Sequence, residues 1–83
     1  MPYYVYIVAC TDGAFYTGYT RNVKARLRQH RLGKGARYLK THQPDKIVYR
    51  EKFASRAQAM KRERAIKRLT HAQKLKLAHS QMK

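Results

Sequence analysis

The sequence predicts one small domain of the α/β kind, α+β in the order of its elements: a β-hairpin, a helix, a third strand and two further helices. Three observations carry this. Two aromatic and β-branched runs near the N-terminus are joined by a turn containing glycine. Val23, Arg26, Leu27 and His30 then recur at helical spacing. A later run, Lys46-Ile47-Val48-Tyr49-Arg50-Glu51-Lys52-Phe53, reads as a strand before helical spacing resumes.

The hairpin comprises Tyr3-Tyr4-Val5-Tyr6-Ile7-Val8-Ala9-Cys10, a Thr11-Asp12-Gly13 turn, and Ala14-Phe15-Tyr16-Thr17-Gly18-Tyr19. It holds five of the seven tyrosines and none of the 20 lysines and arginines, all of which follow it. It reads as a hydroxyl-bearing floor onto which later helices lower a basic surface. Turn length decides which hydroxyls share a face, because side chains alternate along a strand. A two-residue Asp12-Gly13 turn pairs Ala9 with Tyr16 and separates Tyr16 from Tyr6. A three-residue Thr11-Asp12-Gly13 loop, with Gly13 left-handed, pairs Val8 with Tyr16 and makes Tyr6 and Tyr16 diagonal neighbours. Both turns are chemically allowed.

Asn22 is a suitable N-cap for the first helix, and Gly33 ends it. Gly33-Lys34-Gly35-Ala36-Arg37-Tyr38-Leu39-Lys40-Thr41 is a basic loop with an aromatic. It lacks the GxxxxGK[ST] spacing of a phosphate loop, and reads either as a strip lying along a nucleic-acid backbone or as an ordinary solvated loop. Gln43-Pro44-Asp45 reads as a turn. In the third strand Ile47, Tyr49 and Phe53 are expected on one face, and the charges suit an edge. Ser55 caps a helix running from about Arg56 to Leu69, with Ala59, Met60, Ile66 and Leu69 on an apolar arc. Glu63 falls inside that arc, about 40° from Ala59 at about 100° per residue. An inward acid needs a partner: Lys67, Arg26 or a metal ion. Thr70 starts a last helix through about His79, with Leu75, Leu77 and Ala78 as apolar contacts and a fraying tail.

Eighty-three residues make one domain, 1–83. There is no transmembrane run and no basic N-terminal lead, so a cytoplasmic protein is expected. The single cysteine, Cys10, excludes an intramolecular disulfide and reads as a small buried hydrophobe. The net charge of +16 calls for an anionic partner. Nucleic acid is favoured over a membrane, because the pattern is compact rather than a lone basic amphipathic helix. Charge alone does not separate DNA from RNA, or binding from cutting.

There are four acidic residues. Asp12 is in a turn, Asp45 in a loop and Glu51 near a strand end, which leaves Glu63 on a rigid inward face. A two-metal nuclease site shares several carboxylates, which this chain does not supply. One Mg²⁺ on one carboxylate, completed by waters and phosphate oxygens, is the most it supports. The histidines lack zinc-ligand spacing. Phosphodiester cleavage would then fall to Tyr6, Tyr16, Arg26, His30 and Glu63. A tyrosine is a weak base unless nearby cations lower its pKa, and a basic surface with Arg26 and a metal ion beside it is expected to do so. Arg26 suits phosphoryl oxygens because its guanidinium is always charged and forked.

Tyr4-Val5-Tyr6 and, ten residues on, Tyr16-Thr17-Gly18 resemble the paired motifs of the GIY-YIG nuclease superfamily. Arg26-Leu27-Arg28-Gln29-His30 resembles its R-L-x-x-H/Y helix, and the Ala57–Lys67 stretch its glutamate helix. The match covers nearly the whole chain, as in small stand-alone bacterial members. Tyr4 stands where the motif has its first glycine, and Thr17 where it has isoleucine. The resemblance implies a three-stranded antiparallel sheet flanked by helices, and it favours the three-residue loop. It implies a metal-dependent endonuclease hydrolysing DNA, with repair or recombination as the setting. Tyr6 and Tyr16 would position or deprotonate water, Arg26 would hold the scissile phosphate, and His30 would handle protons or contact phosphate. Glu63 would hold one divalent cation, Mg²⁺ or Mn²⁺. Gly18 would keep its strand thin beside the substrate. Tyr19, Arg21, Lys34, Arg37, Tyr38 and Lys67 are the expected nucleic-acid contacts. The alternative is a non-catalytic nucleic-acid-binding module with the tyrosines as packing. A third reading is a basic partner-binding or membrane-surface protein.

Overall fold

A computed structural model describes residues 2–33 and 42–81. Their order is β1 (Tyr3–Cys10), β2 (Phe15–Thr20), α1 (Val23–Arg31), β3 (Pro44–Phe53), α2 (Arg56–Lys67) and α3 (His71–Gln81). The strands form one antiparallel sheet in the order β2-β1-β3, giving the α+β arrangement expected.

The hairpin closes through the three-residue loop. Cys10 N–H donates to the Ala14 carbonyl at 2.8 Å, Gly13 N–H to the Cys10 carbonyl at 3.0 Å, and Gly13 has φ +88°. That positive φ is one glycine adopts freely. The register follows: Val8 faces Tyr16 and Tyr6 faces Gly18.

The central strand is covered on both faces, so its apolar run is continuous rather than alternating. Tyr6 and Val8 pack with Val23 and Leu27 of α1 on one face. Val5 and Ile7 pack with Ala59 and Ile66 of α2 and Leu77 of α3 on the other. Burying an aliphatic side chain of this size contributes roughly 1.5–3 kcal/mol, so these few residues supply much of a small core. Cys10 is buried and free, as expected.

Helix ends follow the expected caps. Asn22 accepts from Ala25 N–H at 3.0 Å, Ser55 accepts from Gln58 N–H at 3.3 Å, and Gly33, at φ +77°, donates to the His30 carbonyl at 3.1 Å. Thr70 and Gln73 form a reciprocal box at the start of α3: Gln73 N–H donates to Thr70 Oγ1 at 3.2 Å and Thr70 N–H to Gln73 Oε1 at 2.9 Å.

Four expectations need correction. Pro44 and Asp45 belong to β3 and not to a turn; Pro44 is the first residue of an edge strand, where a missing N–H is tolerated. Ile47 and Tyr49 lie on opposite faces, because the register shifts between Ile7–Tyr49 and Val8–Ile47 and leaves Val48 as the extra residue of a bulge. Tyr49 and Phe53 do share a face. Leu75 is exposed rather than packed. The end of α3 is anchored rather than frayed: Arg50 N–H donates to Gln81 Oε1 at 2.9 Å and Gln81 Nε2 donates to the Arg50 carbonyl. One glutamine thus satisfies two backbone groups on the open edge of β3. Among the described residues no helix is long and apolar enough to cross a membrane.

Candidate active site

β2 is an edge strand, with α1 on one face of the sheet and α2 on the other. A cleft of about 450 Å³ opens there, lined by Tyr3, Tyr6, Tyr16, Tyr19, Thr20, Arg21, Arg26 and Glu63. Tyr6 and Tyr16 are the diagonal neighbours that the hairpin register requires, with ring centroids 6.3 Å apart. Arg26 comes from the middle of α1, one residue before its central Leu27, and Glu63 from the inward face of α2. The side chain of Glu63 is 16% exposed, and its nearest cation is Lys67 Nζ at 3.7 Å, one of the three partners expected.

His30 lies behind the tyrosines and does not line the cleft. It is buried, with Nε2 2.9 Å from the Tyr6 hydroxyl and its ring edge-on to Tyr16 at 5.5 Å. Gly18 makes room for the Tyr6 phenol. A Cβ at position 18 would stand 2.7 Å from the Tyr6 hydroxyl oxygen and 2.9 Å from its ring carbon. The strand is thin there for the neighbouring ring, which is a different reason from the substrate approach anticipated.

The other three acids are placed elsewhere. Asp12 accepts from Ala14 N–H at 3.0 Å and pairs with His42 at 2.6 Å. Glu51 pairs with Arg62 at 2.9 Å, and Asp45 lies at the start of β3. Tyr19 and Arg21 reach the cleft, while Lys34, Arg37 and Tyr38 lie outside the described residues. Tyr4 packs on the Tyr6–Val8–Val23 cluster and does not line the cleft. Tyr3, which reasoning from sequence passed over, lines it. Its signal was available: with Val5 opposite Tyr19, Tyr3 is the diagonal neighbour of Tyr19, as Tyr6 is of Tyr16.

The electrostatics correct the part of one expectation that rested on Arg26 and the basic surface. The pKa of Tyr6 is raised well above that of a free phenol, first by burial and next by the charge on Tyr16, with Glu63 adding to this; Arg26 opposes the shift and loses. Tyr16 is raised for the same reasons, by burial first and Glu63 second, again against Arg26. Removing the phenols from water outweighs the nearby guanidinium. Both hydroxyls therefore keep their protons at neutral pH.

No three His, Cys, Asp or Glu side chains cluster among the described residues, so a metal cage built from protein alone is absent there. The donor set fits a different arrangement. Glu63 is a single carboxylate facing a cleft of hydroxyls, and Mg²⁺ is commonly held by one or two carboxylates with waters and substrate phosphates completing its shell.

Residues 2–76 match the family model described as the GIY-YIG catalytic domain. The chain is 53% identical over 75 residues to a UPF0213 protein of Staphylococcus haemolyticus, covering 90% of this chain and 92% of the relative. It is 45% identical, with the same coverage, to a UPF0213 protein of Staphylococcus aureus. Two solution NMR structures are similar. One is a UPF0213 protein from Bacillus halodurans, 40% identical, TM-score 0.62, covering 98% of this chain and 86% of that one. The other is a protein from E. faecalis, 39% identical, TM-score 0.63, covering 98% and 90%.

Proposed function

The chain belongs to the GIY-YIG family, and from that premise we propose that it is a divalent-cation-dependent endonuclease that hydrolyses phosphodiester bonds in DNA. The observation that carries this is the convergence of two phenols, one guanidinium and one carboxylate from four different elements on a single cleft.

Each group then has a task. Arg26 grips two non-bridging phosphate oxygens with its fork and offsets the charge that builds up on them. Glu63 would hold one divalent cation, Mg²⁺ or Mn²⁺, which would supply positive charge at the phosphoryl group. Tyr6 and Tyr16, being neutral, act as hydrogen-bonding hydroxyls and not as phenolates. With His30 in the tautomer that leaves Nε2 unprotonated, the Tyr6 oxygen accepts a hydrogen bond from the attacking water while its own proton goes to Nε2, 2.9 Å away. His30 is thereby placed to take up a proton through Tyr6 without touching the substrate. Lys67, beside Glu63, and Tyr19 and Arg21 at the cleft contact the flanking backbone. Cys10, free and buried, suits a reducing compartment such as the cytoplasm.

Nicking of supercoiled plasmid, followed with Mg²⁺, Mn²⁺ or chelator, tests the reading. Cation-dependent nicking supports it. Salt-sensitive binding with no scission on plasmid, branched DNA, single strand or RNA would replace it with a binding module that keeps the nuclease fold.

A further inference from the structure

A second pair of tyrosines occupies the other face of the hairpin. Tyr4 faces Thr20 and Val5 faces Tyr19, so Tyr3 and Tyr19 are diagonal neighbours on the face opposite Tyr6 and Tyr16. Both still line the cleft, because the cleft runs around the edge strand β2 and takes side chains from either face.

Each of these tyrosines holds an arginine. Arg21 Nε donates to the Tyr3 hydroxyl at 3.0 Å, with its guanidinium carbon 5.1 Å from the Tyr3 ring centroid. Arg56 Nε donates to the Tyr19 hydroxyl at 3.2 Å, with its guanidinium carbon 6.0 Å from the Tyr19 ring centroid. Both arginines are exposed, and among the described residues neither pairs with an acid. Their charge is therefore tethered but not neutralised. Engaging Nε leaves the two terminal nitrogens as donors, and a fork of N–H groups matches phosphate oxygens. Holding a long side chain in place beforehand also removes part of the ordering that binding would otherwise require. Tyrosines with no charge of their own are suited to this, since they orient the cation and do not compete for it.

We propose that Arg21 and Arg56, held by Tyr3 and Tyr19, form a seat for a second phosphate group of the nucleic-acid strand, next to the phosphate gripped by Arg26. This rests on the reading of the cleft as a phosphodiester site, and it adds the residues that fix the strand beyond the bond being cut. A phosphate is the fitting ligand because the seat continues the cleft and its cations pair with no acid among the described residues.

The test is binding of a fluorescently labelled oligonucleotide, measured by anisotropy across a salt series in the presence of chelator. Arg68→Ala, an exposed cation at the far end of α2, gives the baseline for deleting one charge. Arg21→Ala and Arg56→Ala are each expected to weaken binding several-fold more than Arg68→Ala, uniformly across sequences, and to lower the salt slope by about one. Tyr19→Phe and Tyr3→Phe should weaken binding while leaving the slope nearly unchanged, because the charge remains and only the tether is lost. Arginine variants that match Arg68→Ala in both affinity and slope overturn the seat. If they match it while plasmid nicking persists, the nuclease reading stands without the seat. If they show the expected losses in a chain that never cuts, the seat stands without the nuclease.

Discussion

The hydroxyl of Tyr6 and Nε2 of His30 lie 2.9 Å apart in a buried pair joining β1 to α1. Burial keeps the Tyr6 proton in place, and in the tautomer with Nε2 unprotonated that proton is donated to the imidazole. Tyr6→Phe keeps the ring and its packing but removes the hydroxyl that the proposed mechanism uses to hold the water and to reach His30. Cleavage is expected to fall roughly 100-fold, the lower end of what general acid–base groups supply. Stability should fall by about 1 kcal/mol for the lost hydrogen bond. Single-turnover rates and urea unfolding measure the two effects separately.

The raised phenol pKa values make a stability prediction at alkaline pH. The folded chain holds these protons more tightly than the unfolded chain does. Their stabilising contribution is complete below the ordinary tyrosine pKa of about 10 and is lost as pH climbs toward the folded values. Urea midpoints should therefore be flat from neutral pH to about 9 and then drop, by at most about 1.4 kcal/mol per pH unit for each buried phenol. Tyr6→Phe should make that alkaline drop shallower. An unchanged drop in the variant would place its cause elsewhere.

Gly18→Ala is expected to disturb the site without touching the substrate. The added methyl meets the Tyr6 hydroxyl and ring, and Tyr6 is too well packed to swing away. Overpacking of this kind costs about 1–3 kcal/mol, and the displaced phenol should lose its bond to His30. Thermal melting and the chemical shifts of the His30 ring report the two consequences.

Thr17 offers a change in the opposite direction. It is 3% exposed, and its hydroxyl has no hydrogen-bond partner among the described residues. A buried, unsatisfied hydroxyl costs about 1–3 kcal/mol. Thr17→Val, of nearly the same shape, should raise the urea midpoint by the equivalent of about 1 kcal/mol and leave cleavage unchanged.

What the sequence revealed depended on how local the cause was. The hairpin register followed from a loop length, and the caps at Asn22 and Ser55 from single residues. The inward position of Glu63 followed from helical periodicity. The bulge at Val48 was hidden, because an inserted residue leaves composition intact and only shifts alternation. Gln81 reaching the edge at Arg50 was hidden because it spans 31 residues. The tyrosine pKa values went the wrong way from sequence because the count of cations was visible and the extent of burial was not. Arg56 looked like an ordinary first residue of a helix until Tyr19 was found beside it.

The most direct measurement is the cleavage rate of purified Glu63→Gln and Arg26→Ala chains beside the unmodified one, on one DNA substrate with saturating Mn²⁺ or Mg²⁺ and matched melting temperatures. Both variants should lose cleavage by at least about 100-fold, as removal of a group that stabilises developing charge does, while remaining folded. Two folded variants that cut as fast as the unmodified chain would contradict the assignment of this cleft as the place where the phosphodiester is broken.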